Sequence, residues 1–213
     1  MDIDPQAVEV TKLSLLLKVL EGESEQALAR QLKLFHERAL PDLGNNIKCG
    51  NSLIGTDFYN TPLTPLFRGE KMDSPLARGA GGVSDEERRK VNPFDWEAEF
   101  PEIIKPAPAG REQGAGGFDV VIGNPPYVRQ EGLGDFKSYF QQRYKVYHGT
   151  ADLYAYFIEK GVSLLRENGI FSYIVSNKWM RANYGEPLRC WLKQQHIVEM
   201  IDFGDLPVFQ KAT

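Results

Sequence analysis

Apolar positions recur along this chain in two distinct rhythms. After Asp4-Pro5, the residues Val8, Leu13, Leu15, Leu16, Leu17 and Leu20 follow roughly helical spacing. Asp suits the N-cap and Pro the first helical position, and Gly22 marks the stop. Ser24 to Ala39 predicts a second, more polar helix, and Ile47 to Leu53 a short strand running into a turn. From Phe118 the order becomes regular. Phe118-Asp119-Val120-Val121-Ile122-Gly123 is a short apolar run ending in a turn, the pattern of a buried parallel strand. Asp152 to Glu167 is amphipathic, with Leu153, Tyr154, Phe157, Ile158, Val162, Leu164 and Leu165 at helical spacing and Asn168-Gly169 as the stop. Ile170 to Ser176 predicts a second buried strand. Ala182 to Gln195 predicts a helix whose start Pro187 delays, and Ile197 to Phe203 a third strand. Strands alternating with helices predict a parallel α/β sheet.

Residues 60–117 break the pattern. They hold 8 Gly and 7 Pro, 15 of 58 positions, where low complexity begins. Gly79-Ala80-Gly81-Gly82 and Gly114-Ala115-Gly116-Gly117 bracket a charged middle. The segment reads as an insertion, which divides the chain into 1–59, 60–117 and 118–213. Stretches 69–90 and 105–117 bury too little to offset their chain entropy and are expected to be poorly ordered. Phe94, Trp96 and Phe100 are expected to pin the ordered part.

Composition narrows the class without deciding it. Hydrophobic residues make up 42 % and charged residues 25 % of the 213 positions, as in ordinary globular proteins, which excludes collagen-like, coiled-coil or wholly disordered chains. The longest apolar cluster, Leu13 to Leu20, contains Lys18 and is too short to span a bilayer. Met1-Asp2-Ile3-Asp4-Pro5 is acidic where a secretory signal is basic. Cys49 and Cys190 match no metal spacing and read as buried thiols of a reducing compartment, so the cytoplasm is expected. The net charge of −4 is not that of a nucleic-acid binder taken whole. Residues 1–116 carry 14 basic and 19 acidic groups, whereas 117–213 carry 11 and 10. Between Ser176 and Gln195, Lys178, Arg181, Arg189 and Lys193 face Glu186 alone, which makes either a solvated face or a phosphate-facing rim.

Open parallel sheets bind ligands just beyond the carboxyl ends of their strands. Asn124-Pro125-Pro126-Tyr127 follows the Phe118–Gly123 run directly. Consecutive prolines hold the backbone extended and have no N–H to donate. Their carbonyls and the Asn amide oxygen can point outward as fixed acceptors, and Tyr127 adds a flat ring. Such a site suits a planar ligand carrying an NH₂ group; a rigid strand-exit turn would use the same residues. Asn92-Pro93-Phe94 opens similarly but follows the charged run Asp85 to Lys90 and reads as loop. Asp2, in Asp2-Ile3-Asp4, has no capping duty and sits where an acidic residue grips ribose hydroxyls. Asn51, in Gly50-Asn51-Ser52, either hydrogen-bonds an adenine edge or makes a turn.

In this order, Asp-Ile-Asp-Pro, Gly-Asn-Ser-Leu, Phe-Asp-Val-Val-Ile-Gly-Asn-Pro-Pro-Tyr-Val-Arg-Gln, Ala151-Asp152-Leu153-Tyr154 and Ile174–Trp179 resemble the catalytic domain of gamma-class adenine-specific DNA methyltransferases. The likeness extends to the TaqI-like enzymes and the fused restriction–methylation proteins of type IIG. It implies a Rossmann-like class I methyltransferase fold, S-adenosylmethionine as cofactor and double-stranded DNA as partner. Asp2 would bind the cofactor ribose and Asn51 its adenine. Asn124 and the Pro125 carbonyl would accept from the target amine, with Pro126 holding the turn. Tyr127 would stack on the flipped base, and Phe209 would pack on it as a second aromatic or else belong to the core. Asn-Pro-Pro-Tyr alone also occurs in methyltransferases acting on protein glutamine or RNA. The wider pattern narrows the substrate to DNA; the alternatives are those amine methyltransferases and an inactive fragment or scaffold.

The resemblance also implies parts outside the pattern seen here. The glycine-rich loop and first strand would lie upstream of Asp2, and the last strand and the recognition domain after Thr213. The 213-residue chain alone is therefore expected to bind S-adenosylmethionine weakly and not to methylate DNA. Calorimetry checks this, and micromolar binding by the short chain would contradict it.

Overall fold

The computed structural model describes residues 4–20, 43–60, 84–104, 116–128, 134, 136–204 and 206. They fall into two compact units, divided between Trp96 and Glu97. The expected helix over Ser24 to Ala39 lies outside the described residues, as do Asp2 and Phe209.

The first unit opens with helix α1 (Pro5–Leu20). The Asp4 carboxylate accepts the Gln6 N–H at 2.8 Å, satisfying a donor that the first turn leaves unpaired. Val8 is buried on it, whereas Leu13, Leu15 and Leu17 are exposed. The strand expected over Ile47 to Leu53 is reduced to one parallel bridge, Asn51 to Pro93. Proline has no N–H for a further rung, so the ladder stops there. A 3₁₀ turn (Thr56–Asn60) and helix α2 (Asp85–Val91) complete the unit. Helix α2 corrects the expectation of disorder through residue 90. Asp85, Glu86, Arg88, Arg89 and Lys90 are exposed, Val91 is buried, and Asn92 leaves the helix in the left-handed region at φ 46°. Leu53, Ile54, Phe58, Tyr59 and Phe94 are the other buried apolar side chains. Phe94 meets Trp96 edge-on at 5.0 Å, and the Trp96 indole N–H donates to the Ser52 carbonyl at 3.1 Å. The aromatic pins expected from sequence are therefore ordered.

The second unit begins with the short helix α3 (Trp96–Glu99), which crosses the boundary. Strand β1 (Phe118–Gly123), helices α4 (Phe136–Arg143) and α5 (Tyr154–Ser163), and strand β2 (Leu165–Tyr173) follow. Two 3₁₀ turns (Asn177–Met180 and Asn183–Gly185) then lead into helix α6 (Glu186–Leu192), with Pro187 in its first turn as the late start predicted. β1 and β2 pair in parallel, with Val120 opposite Ile170 and Gly123 opposite Tyr173. Mixed α/β architecture around a small parallel sheet is thus observed.

Three expectations are corrected here. The predicted helix to Glu167 ends at Ser163, because Leu165 pairs with Phe118 instead of continuing the apolar stripe. β2 accordingly starts five residues earlier than Ile170. Between Leu165 and Ile170 its residues 166–169 bulge past the single β1 residue Asp119, with Asn168 left-handed at φ 61°, so Asn168-Gly169 turns within the strand path. The run Phe118–Gly123 is not buried on both sides: Val120 and Ile122, with Ile170 beside them, are exposed. Ile197 to Phe203 forms no strand, and Ile197, Val198, Met200, Ile201 and Phe203 are exposed. Its alternation has no partner strand among the described residues, and strand conformation requires one.

Packing in this unit is aromatic. Phe140 of α4 stacks on Tyr156 of α5 with centroids 4.7 Å apart and planes 20° apart, and Tyr144 closes on both edge-on. The Glu159 carboxylate accepts the Lys145 and Val146 N–H groups at 3.1 and 3.0 Å, tying the connection between the helices to α5. Gly161 lets α5 sit close on the strand pair: a Cβ there would press into the Phe171 ring at 2.7 Å. Phe140→Ala removes a ring that is 1 % exposed. A destabilisation of about 3–5 kcal/mol is expected, read by denaturant unfolding.

Candidate active site at the carboxyl edge of the sheet

Because β1 and β2 are parallel, both carboxyl ends lie on one edge. The Ile174 N–H donates to the Gly123 carbonyl at 3.1 Å, so the chain leaving β2 starts beside the chain leaving β1. Asn124 to Tyr127 begin at this point. Pro125 is buried, while Asn124, Pro126 and Tyr127 are exposed. The buried ring anchors an extended segment whose other groups face outward. Among the described residues, neither the Asn124 amide nor the Pro125 carbonyl has a hydrogen-bond partner. Two acceptors therefore stand open on adjacent residues, next to a Tyr127 ring that is 53 % exposed.

That ring is backed from one side. Tyr154, wholly buried at the start of α5, meets Tyr127 edge-on with centroids 5.9 Å apart. The Leu153 N–H donates to the Val128 carbonyl at 2.8 Å, fastening the next residue of the segment to the same turn. Burial, followed by its hydrogen bond to Tyr184, raises the Tyr154 pKa far above the usual phenol value. It is a neutral hydroxyl at any physiological pH.

The segment after β2 leaves from the same edge. The Ser176 hydroxyl accepts the Lys178 N–H and caps the 3₁₀ turn Asn177–Met180. Asn177 Nδ2 donates to Asp202 at 3.2 Å, which holds the exposed 196–204 stretch against that turn. The Gly204 N–H, then Asn177, keep the Asp202 carboxyl below the usual carboxylate range. Lys178 and Arg181 of the basic run are exposed, whereas Arg189 turns inward, donating from Nη1 to the Trp179 and Ala182 carbonyls at 2.6 and 2.9 Å. Among the described residues no group of three or more His, Cys, Asp or Glu side chains is placed to hold a metal.

Asn51 lies in the first unit. Its Oδ1 accepts the Leu53 N–H at 3.2 Å, so it makes the turn that was one of its two readings. Its Nδ2 has no partner among the described residues and keeps two hydrogens to donate. The Asn92-Pro93-Phe94 stretch, expected to be plain loop, holds this turn. Asn51 N–H donates to the Asn92 carbonyl at 2.7 Å and Phe94 N–H to the Ile54 carbonyl at 2.8 Å. Sequence reading passed over Tyr154 and Tyr184 as site residues; a buried tyrosine on an amphipathic stripe reads as core, and only the position of its hydroxyl distinguishes it.

Residues 1–209 match the family model described as Eco57I restriction-modification methylase. The chain belongs to that family. The chain is 28 % identical over 218 residues to the type II restriction enzyme and methyltransferase RM.Eco57I of Escherichia coli, covering 100 % of this chain and 17 % of that protein. It is 36 % identical over 96 residues to the type II methyltransferase M.PaeR7I of Pseudomonas aeruginosa, covering 44 % of this chain and 17 % of that protein. Identity is also 36 % over 76 residues with the adenine-specific methyltransferase BrxX of Escherichia coli O9:H4, covering 35 % of this chain and 6 % of that protein. The chain thus spans less than a fifth of the length of these relatives. No helix among the described residues of this family member is long and apolar enough to cross a membrane.

Proposed function

We propose that this chain is the catalytic part of a site-specific DNA methyltransferase that methylates the exocyclic amine of an adenine turned out of the duplex. One observation carries the reading: the open Asn124 amide oxygen and Pro125 carbonyl beside the exposed Tyr127 ring, at the carboxyl edge of a parallel strand pair. Family membership and the adenine-specific name of BrxX support it. In this reading residues 1–59 form the cofactor side and 118–213 the catalytic side of one Rossmann-like domain, with 60–117 inserted between them.

The chemistry follows from the acceptors. An exocyclic amine is a weak nucleophile because its lone pair is delocalised into the ring. Asn124 and Pro125 each accept one amine hydrogen, which favours pyramidal nitrogen and returns the lone pair to it. They also offset the positive charge that develops as the nitrogen–methyl bond forms and the methyl–sulfur bond breaks, and one amine hydrogen then leaves to solvent as a proton. No strong base is required, since fixed dipoles and positioning lower the barrier. Pro125 and Pro126 hold those dipoles before the substrate arrives. Turning the base out costs a few kcal/mol, which stacking on Tyr127 partly offsets, with Phe209 as the second face of the clamp.

S-adenosylmethionine supplies the electrophilic methyl group when bound. The free Nδ2 of Asn51 fits the acceptor edge of the cofactor adenine, and Asp2 suits its ribose hydroxyls. Double-stranded DNA is the partner, and exposed Lys178 and Arg181 suit its phosphates.

Asn124→Ala removes one of the two acceptors, and the methylation rate is expected to fall on the order of a hundredfold or more with cofactor affinity unchanged. Methyl incorporation into adenine-containing duplex reads this; a wild-type rate would overturn the assignment. Tyr127→Ala is expected to cost about 1–3 kcal/mol of base stacking. Fluorescence of 2-aminopurine at the target position should drop accordingly, and an unchanged signal would remove Tyr127 from the clamp.

A further inference from the structure

Three consecutive residues at the start of α5 each make a different contact. Asp152 Oδ2 lies 3.3 Å from the Tyr184 hydroxyl, the Leu153 N–H donates to Val128, and the Tyr154 ring backs Tyr127. The Tyr154 hydroxyl lies 3.0 Å from the Tyr184 hydroxyl. The direction of the protons is determined by the end of the chain. The Tyr184 hydroxyl donates to the Asp152 carboxylate oxygen, so its own oxygen is left to receive the proton of Tyr154. Burial raises the pKa of both phenols, so each stays a donor.

Tyr184 is itself held rigidly. It sits in the Asn183–Gly185 turn, and Gly185 abuts the Trp179 carbonyl so closely that a Cβ would land on that oxygen. The Arg189 guanidinium ties the start of this turn to the preceding one, through the Ala182 and Trp179 carbonyls. By contrast, Tyr127 is half in solvent, with no hydrogen bond from its own hydroxyl among the described residues. Its orientation depends on the edge contact with Tyr154 and on the Val128 tether.

We infer that Asp152 and Tyr184 are positioning residues for the methyl transfer, which fix the Tyr127 platform by locking the Tyr154 hydroxyl from behind. The inference rests on the reading that Tyr127 stacks on the target base. Without Tyr184 the Tyr154 oxygen keeps its backbone hydrogen bond from Trp179, but its own buried proton has no acceptor; the phenol would shift to find one, and its ring edge would leave Tyr127. The tilted platform would still bind DNA but would present the amine off the line of Asn124 and Pro125. Misplacement of this kind lowers turnover more than binding.

Tyr184→Phe removes one oxygen and keeps the ring. In the intact protein it is expected to lower kcat about three- to tenfold, the scale of one neutral hydrogen bond, with the KM for duplex and the cofactor Kd unchanged. Asp152→Ala should match it. Asp152→Asn keeps an acceptor and should restore the wild-type rate. A thermal melt checks that each variant is folded. The deciding comparison repeats Tyr184→Phe in a Tyr127→Ala background. If the pair acts through Tyr127, the second substitution adds nothing there. The same fold loss in both backgrounds, or a wild-type kcat for Tyr184→Phe alone, would overturn the positioning role while leaving base stacking intact. If Tyr127→Ala itself leaves the rate and the 2-aminopurine signal unchanged, the stacking reading fails, and the positioning role fails with it.

Discussion

The parallel pairing of β1 with β2 is the constraint on which the second unit depends. Parallel strands cannot be joined by a tight turn, so the chain must cross over before it can return. Here the crossover runs from Asn124 to Leu164. It begins with the residues that present the open acceptors and ends with the helix that supports them. The same hydrogen-bond pattern that sets the register, with Gly123 opposite Tyr173, puts the departures of both strands side by side. An edge of the kind at which open parallel sheets bind ligands is therefore a consequence of topology before any side chain is considered.

The second requirement is a crossover helix that sits tightly and keeps its orientation. Gly161 permits close approach to Phe171 and Tyr173, and the Phe140–Tyr156 stack holds α4 against α5. This aromatic interior carries a polar difficulty with it, because a wholly buried Tyr154 must satisfy a hydroxyl away from water. Tyr184 and Asp152 resolve it, and in doing so connect the 3₁₀ turn after β2 to the first turn of α5. One buried polar chain thus links the two segments that flank the acceptors.

The prolines serve the same edge differently. Extended backbone alternates its faces, so burying Pro125 turns Asn124 and Pro126 outward. Because proline has no N–H, the segment cannot enter the ladder and consume its own carbonyls. The acceptors remain open because the local chemistry removes the usual competitors for them. On the first unit the outcome at Asn51 is mixed: its carbonyl oxygen serves a turn and its amide hydrogens remain free.

Local chemistry was enough to read the helix at Pro5, the strand Phe118–Gly123, the delayed start at Pro187, the aromatic pins Phe94 and Trp96 and the extended Asn124–Tyr127 segment at the strand exit. Each depends on groups within a few residues: a capping carboxylate, an apolar run, a missing N–H. Where the answer depended on a distant partner, the periodicity misled. Leu165 continues a helical stripe, yet Phe118, 47 residues earlier, takes it as a strand partner. Asp85 to Lys90 reads as poorly ordered until Val91 is buried at the end of its helix. Ile197 to Phe203 has the alternation of a strand and no ladder to join among the described residues. The tyrosine relay was invisible for the same reason. Sequence spacing could place Tyr154 on a buried face, but only the fold could bring Tyr184, thirty residues away, within 3.0 Å of its hydroxyl and so decide which way that ring is held.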